Sequence, residues 1–99
     1  MEKFIGKKCL VRGDRSGVFY GTVESINGQN VVIKNARGIY YWSGANALSE
    51  LAVNGTQNPN DCKFTVVVET IGILDCVEII PCTKDAIKNI ESVKVWAKK

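Results

Sequence analysis

The stretch Arg37-Gly38-Ile39-Tyr40-Tyr41-Trp42-Ser43-Gly44-Ala45-Asn46 holds the residues best suited to chemistry in this chain. Three aromatic rings follow one another, and successive side chains of a strand point to opposite faces. Tyr40 and Trp42 are therefore expected on one face and Tyr41 on the other, so at least one large ring faces away from the core or into an interface. Ser43-Gly44-Ala45 reads as the small-residue opening of a helix, with Ser43 or Asn46 as its cap. The free N–H groups and positive dipole end of a helix start suit a phosphate. Arg37 stands at the far end of the same strand, while Arg12 and Arg15 belong to a glycine-flanked turn, Gly13-Asp14-Arg15-Ser16-Gly17. Rings for a base, with guanidinium groups and helix N–H groups for phosphate, form the set a nucleotide requires. The expected ligand site is therefore Arg12, Arg15, Arg37, Tyr40, Tyr41, Trp42, Ser43, Gly44 and Asn46. The plainer alternative makes Tyr40 and Trp42 packing residues and Ser43 only a cap.

Catalysis finds little support. Histidine is absent, which removes the commonest general base and the commonest zinc ligand. The carboxylates Asp14, Glu24, Asp75 and Glu78 are scattered, and no base–nucleophile pair is evident. The cysteines Cys9, Cys62, Cys76 and Cys82 include no CxxC pair, so they read as buried reduced thiols. No metal, no cofactor and no turnover are expected. Arg12-Gly13-Asp14 and Asn54-Gly55-Thr56 spell an integrin tripeptide and a glycosylation sequon. Met1-Glu2-Lys3-Phe4 opens no long apolar segment before a cleavage site, so both read as turns of a cytoplasmic protein.

These residues need a scaffold, and 99 residues make one domain, 1–99. An apolar share of 45% and a charged share of 23% exclude disorder and collagen-like repeats. No run of about 18 apolar residues offers a membrane-spanning helix. The net charge of +3 is too small to announce a polynucleotide binder, yet it allows one local anion site.

Strands are expected at 9–11, 18–26, 30–34 and 39–42. Asn27-Gly28 reads as the centre of a hairpin turn and Asn35-Ala36-Arg37-Gly38 as a second turn. Ala47, Leu48, Leu51 and Ala52 have the spacing of a short helix that Gly55 stops, followed by a polar loop over 56–62. Strands over 63–71 and 73–80 flank Gly72, and Pro81 ends the second. Thr83 caps a final helix with Asp85 in its first turn, Ile87, Ile90 and Val93 or Lys94 at helical spacing, and Lys98-Lys99 at its negative end. The fold class is α+β: a bent antiparallel sheet or small β-barrel with a short middle helix and a C-terminal helix. The strand and turn order of the first 42 residues is similar to that of Sm or SH3-like barrels.

The phrases Val11-Arg12-Gly13-Asp14-Arg15-Ser16-Gly17-Val18-Phe19-Tyr20-Gly21-Thr22, Tyr40-Tyr41-Trp42-Ser43-Gly44-Ala45, Leu48 to Gly55, and Val77-Glu78-Ile79-Ile80-Pro81-Cys82-Thr83 are informative together. They resemble a family of small tailed-phage proteins described as a domain of unknown function, over nearly the whole chain. Some small phage proteins of this kind are immune-evasion sponges, and the resemblance to anti-CBASS sponges implies a role. The chain would bind and sequester a cyclic oligonucleotide signal, such as a cyclic dinucleotide, in the host cytoplasm without cleaving it. The resemblance supplies no binding residues. A homo-oligomer is expected, since a thin core and a dinucleotide-sized ligand both favour a cleft between subunits. Two readings compete: a nucleic-acid-binding small barrel in phage gene expression, and a structural or partner-binding phage protein.

Overall fold

The computed structural model describes residues 2–98. Its strands are β1 (Lys8–Gly13), β2 (Val18–Asn27), β3 (Asn30–Tyr41), β4 (Lys63–Phe64), β5 (Val68–Ile73) and β6 (Cys76–Pro81). Helix α1 (Leu48–Asn54) follows β3, and α2 (Lys84–Ser92) follows β6. The antiparallel order is β4-β3-β2-β1-β6, with β5 also paired to β3. β5 and β6 thus lie at opposite edges, yet only Leu74 and Asp75 join them. In a flat sheet four strand spacings would part them by about 19 Å, whereas three Cα steps reach about 11 Å. The sheet must curl. The fold is α+β, a bent antiparallel sheet carrying two helices.

The apolar run of β1 follows from this curl. Cys9, Leu10 and Val11 are all fully buried, so β1 is covered on both faces. Cys9 and Val11 join Val23, Val31, Ile33, Ala36 and Ile73 in one cluster. Leu10 faces the other way, to Tyr20, Ile39, Phe64 and the helix residues Leu51, Ala52, Ala86 and Ile90.

Several local expectations change under tertiary pairing. Asn35-Ala36-Arg37-Gly38 is no turn, because β3 runs through it. Tyr20 pairs with Arg37 and Thr22 with Lys34, so Asn35 and Ala36 oppose Gly21 alone. That is a β-bulge. Asn35 takes φ 49, the left-handed region asparagine tolerates, and a Cβ on Gly21 would lie 3.0 Å from that of Ala36. The first hairpin pairs Asn27 with Asn30, which places Gly28 and Gln29 at its centre, one residue later than expected. Gly72 lies within β5 opposite Val32, and the turn is Leu74-Asp75. Residues 65–67 break the expected strand over 63–71 into β4 and β5.

The helix ends divide in the same way. Thr83 caps α2, its side chain accepting from the Ala86 N–H at 3.1 Å, and Gly55 ends α1 with φ 76. Helix α1 starts later than expected, with Ala47 at the cap position and no side-chain cap. Helix α2 stops at Ser92, so Lys98 lies beyond it, and Lys99 falls outside the described residues. No helix among the described residues is long and apolar enough to cross a membrane.

Candidate functional site

Arg37 is the first correction. It is only 3% exposed, and its guanidinium spans two elements. Nε donates to the Thr65 carbonyl at 3.0 Å and Nη2 to that of Phe64 at 3.2 Å. Nη1 donates to the carbonyls of Ile90 at 3.3 Å and Val93 at 3.0 Å, the orphan end of α2. Arg37 is therefore the cation at the C-terminal end of α2, in place of Lys98. Burial pushes its pKa down, and the Phe64 ring lies under it at 5.4 Å. A guanidinium spent on four carbonyls is an anchor of the fold rather than a phosphate ligand.

Ser43, Gly44 and Asn46 are corrected with it, since they precede α1 and open no helix. The Ser43 carbonyl accepts from the Thr56 hydroxyl, and the Gly44 carbonyl accepts from the Gln57 N–H at 3.2 Å. Gly44 has φ 84, and a Cβ there would sit 2.5 Å from the Asn58 nitrogen, so glycine is required by the turn. The Asn46 N–H donates to the Glu50 carboxylate at 2.7 Å. These residues shape a loop. Trp42 is half-buried and packs against the cluster beneath the helices, away from the solvent-exposed Tyr40. The expected shared face of Tyr40 and Trp42 is lost because β3 ends at Tyr41.

Tyr40 is where an open site forms. It is 70% exposed, and its ring stacks on Trp96 with centroids 5.0 Å apart and planes 17° apart. Trp96 is itself 46% exposed and is seated by its backbone N–H, which donates to the Phe64 carbonyl at 2.8 Å. Lys63 Nζ lies 5.5 Å from the Trp96 ring centroid. Tyr41, half-exposed, pairs with Lys63 across β3 and β4. Tyr40 also walls a groove of about 420 Å³ whose lining includes Ser16, Gly17, Phe19, Gly38 and Thr65. Thr65 fixes its floor: its hydroxyl accepts from the Gly38 N–H at 2.7 Å, and its own N–H donates to the Gly38 carbonyl at 2.9 Å. Trp96 and Lys63 were absent from the expected set. Only a tryptophan flanked by lysines at the chain end could have hinted at them.

The β1–β2 turn enters the groove through Ser16 and Gly17, and the exposed Arg15 precedes them in the chain. Asp75 holds this turn. One carboxylate oxygen accepts the Arg15 N–H at 2.7 Å and the Ser16 N–H at 3.1 Å, and the other accepts the Ser16 hydroxyl at 2.6 Å. The Ser16 hydroxyl, then the Arg15 N–H, hold the Asp75 carboxyl below the usual carboxylate range. A depressed folded pKa means the restraint is complete above the ordinary aspartate range, about 4, and is lost as pH falls through the lower folded value. The Arg15 and Ser16 amide resonances are therefore expected to shift together in acid, and Asp75→Asn to abolish that step. Amides that titrate alike in the variant would contradict the assignment. Arg12 lies apart from the groove, its Nε 3.1 Å from Glu78 in an exposed pair.

The four cysteines are free thiols, and among the described residues no cluster of three or more His, Cys, Asp or Glu could hold a metal. Burial pushes Cys9 up to about 11 and Cys82 up to about 12, which leaves both poor nucleophiles.

Among solved structures, the chain is similar to a heptameric archaeal Sm protein at 18% identity and a TM-score of 0.52. The match covers 83% of this chain and 94% of that one, so the likeness is one of fold. No curated protein matches the sequence. A family model matches residues 6–90, taking in the turn, the groove and both helices' packing core, and the chain belongs to that family, the domain of unknown function DUF6948.

Proposed function

We propose that this chain is a non-catalytic nucleotide binder, which stacks a base against Tyr40 and Trp96 and turns its phosphate toward Lys63 and Arg15. The observation that carries the reading is the exposed Tyr40–Trp96 stack with Lys63 beside it, on the rim of a groove large enough for a base. Large rings left this open to water are unusual unless something covers them. The ligand proposed is a cyclic oligonucleotide signal, sequestered without cleavage, which is the immune-evasion role that phage sponges fill. A homo-oligomer would help, since one copy leaves the groove open. β5 and β6 each have one edge that no described strand covers, and Val68 and Val77 are exposed on them, with Val66 and Val67 exposed just before β5. Edge pairing between copies is the assembly proposed, in keeping with the heptameric state of the Sm protein.

A second reading, single-stranded nucleic acid along the open groove, is favoured by the Sm-like fold. Salt separates the two. Calorimetry of the chain with cyclic di-AMP, cyclic di-GMP and an oligouridine, at 50 and 200 mM salt, is the test. A cyclic ligand that neutralises one or two phosphates should lose about tenfold or less, and an oligouridine held by six or more contacts about three-hundredfold or more. No binding of any of the three removes both readings.

A further inference from the structure

A second cavity, of about 300 Å³, is lined by Tyr20, Asn35, Arg37, Val67 and Glu91. It shares no lining residue with the groove beside Tyr40. Its polar groups are held in place and still have capacity to spare. The Tyr20 hydroxyl at 2.6 Å and Lys8 Nζ at 2.8 Å converge on one oxygen of Glu91, Oε2, and leave Oε1 without a partner among the described residues. The four carbonyls bound by Arg37 leave one of its N–H groups over. Arg37 and Glu91 have opposite charge and face one cavity, yet the ion pairs among the described residues are Lys8–Glu91 and Arg12–Glu78. Asn35 is brought to the cavity wall by the bulge at φ 49, and its amide makes no hydrogen bond among the described residues.

A fixed acceptor, a fixed donor and an uncommitted amide around an apolar wall define a ligand. It must be planar and carry an N–H donor beside a carbonyl acceptor. We infer that this cavity reads the lactam edge of a nucleobase such as guanine, the ring N–H donating to Glu91 Oε1 and the carbonyl accepting from Arg37 or Asn35. The inference takes its ligand class from the nucleotide-binding reading and adds base selectivity at a separate place. Adenine carries a ring-nitrogen lone pair where guanine carries N–H, so it would face the Glu91 carboxylate with acceptor against acceptor.

The test is calorimetry of the full chain with GMP and with AMP, in the parent, Asn35→Gly and Trp96→Ala. Glycine adopts a positive φ without strain, so Asn35→Gly deletes the amide and keeps the fold. GMP is expected to bind at least about tenfold more tightly than AMP, and Asn35→Gly to lose about tenfold in GMP affinity at an unchanged melting temperature. Trp96→Ala should keep the preference for GMP. Equal binding of GMP and AMP, no binding of GMP, or an Asn35→Gly variant that binds GMP like the parent overturns the pocket. A preference that vanishes in Trp96→Ala also overturns it, because the base is then read at the stack. Failure of cyclic di-AMP to bind, with the GMP preference intact, removes the stack alone and supports the pocket.

Discussion

Arg37→Ala is expected to unfold the domain or to lower its melting temperature by at least about 12 °C. Three of the four carbonyl bonds that the guanidinium makes are buried. Their loss leaves the Val93 carbonyl unpartnered and takes a charge-assisted bond from the Phe64 and Ile90 carbonyls, which keep the Trp96 and Val93 N–H, at about 1–3 kcal/mol each. The sum, about 3–9 kcal/mol, compares with a total stability of about 5–15 kcal/mol for a domain of ordinary stability. At about 4–8 °C per kcal/mol for this size, even the lower figure is easily read by circular dichroism. The damage is specific in place: β4 and the end of α2 lose their common tie to β3. Arg37→Lys should also be poor, because one ammonium group cannot reach both the Phe64–Thr65 and Ile90–Val93 carbonyls as a planar fork does. A variant that melts like the parent would remove Arg37 from the fold and leave it as a ligand contact alone.

The same residue explains where sequence reasoning stopped. Features set by near neighbours were legible: Thr83 as a cap, Gly55 as a helix end, the buried run of β1 and the strand-rich first 42 residues. Each depends on groups a few positions away. Arg37 depends on carbonyls at Ile90 and Val93, far along the chain, and its local setting resembles a solvent-facing turn. The bulge at Asn35 needs Gly21 opposite it, and Gly72 is a strand residue only because β3 supplies Val32 as its partner. Asp75 read as a scattered carboxylate, although it holds a turn sixty positions earlier. Tyr40 was found from its own segment, whereas Trp96, its stacking partner, was not. Side chains were read by type, and their partners came from topology.

Tyr40→Ala and Trp96→Ala are each expected to weaken nucleotide binding by about tenfold to a hundredfold, the about 1–3 kcal/mol that one stacked base contributes. Tyr40 is mostly exposed and Trp96 about half, and neither belongs to a core cluster, so neither change opens a core cavity. What each loses in stability is the ring pair itself, about 0.5–1.5 kcal/mol, and the double variant should melt little lower than either single one. Trp42→Ala supplies the contrast. That ring packs against the cluster holding Leu51 and Ile90, so its loss should appear first in the melting temperature. Lys63→Ala should cost less than either ring and lose its effect at high salt, since its charge sits in solvent beside Trp96. The paired measurement is apo melting temperature against calorimetric affinity for cyclic di-AMP. If Tyr40→Ala and Trp96→Ala both bind like the parent, the stack is packing for the chain's own tail. If Trp42→Ala melts like the parent and alone loses ligand, the site lies at the loop after β3, where the sequence first placed it.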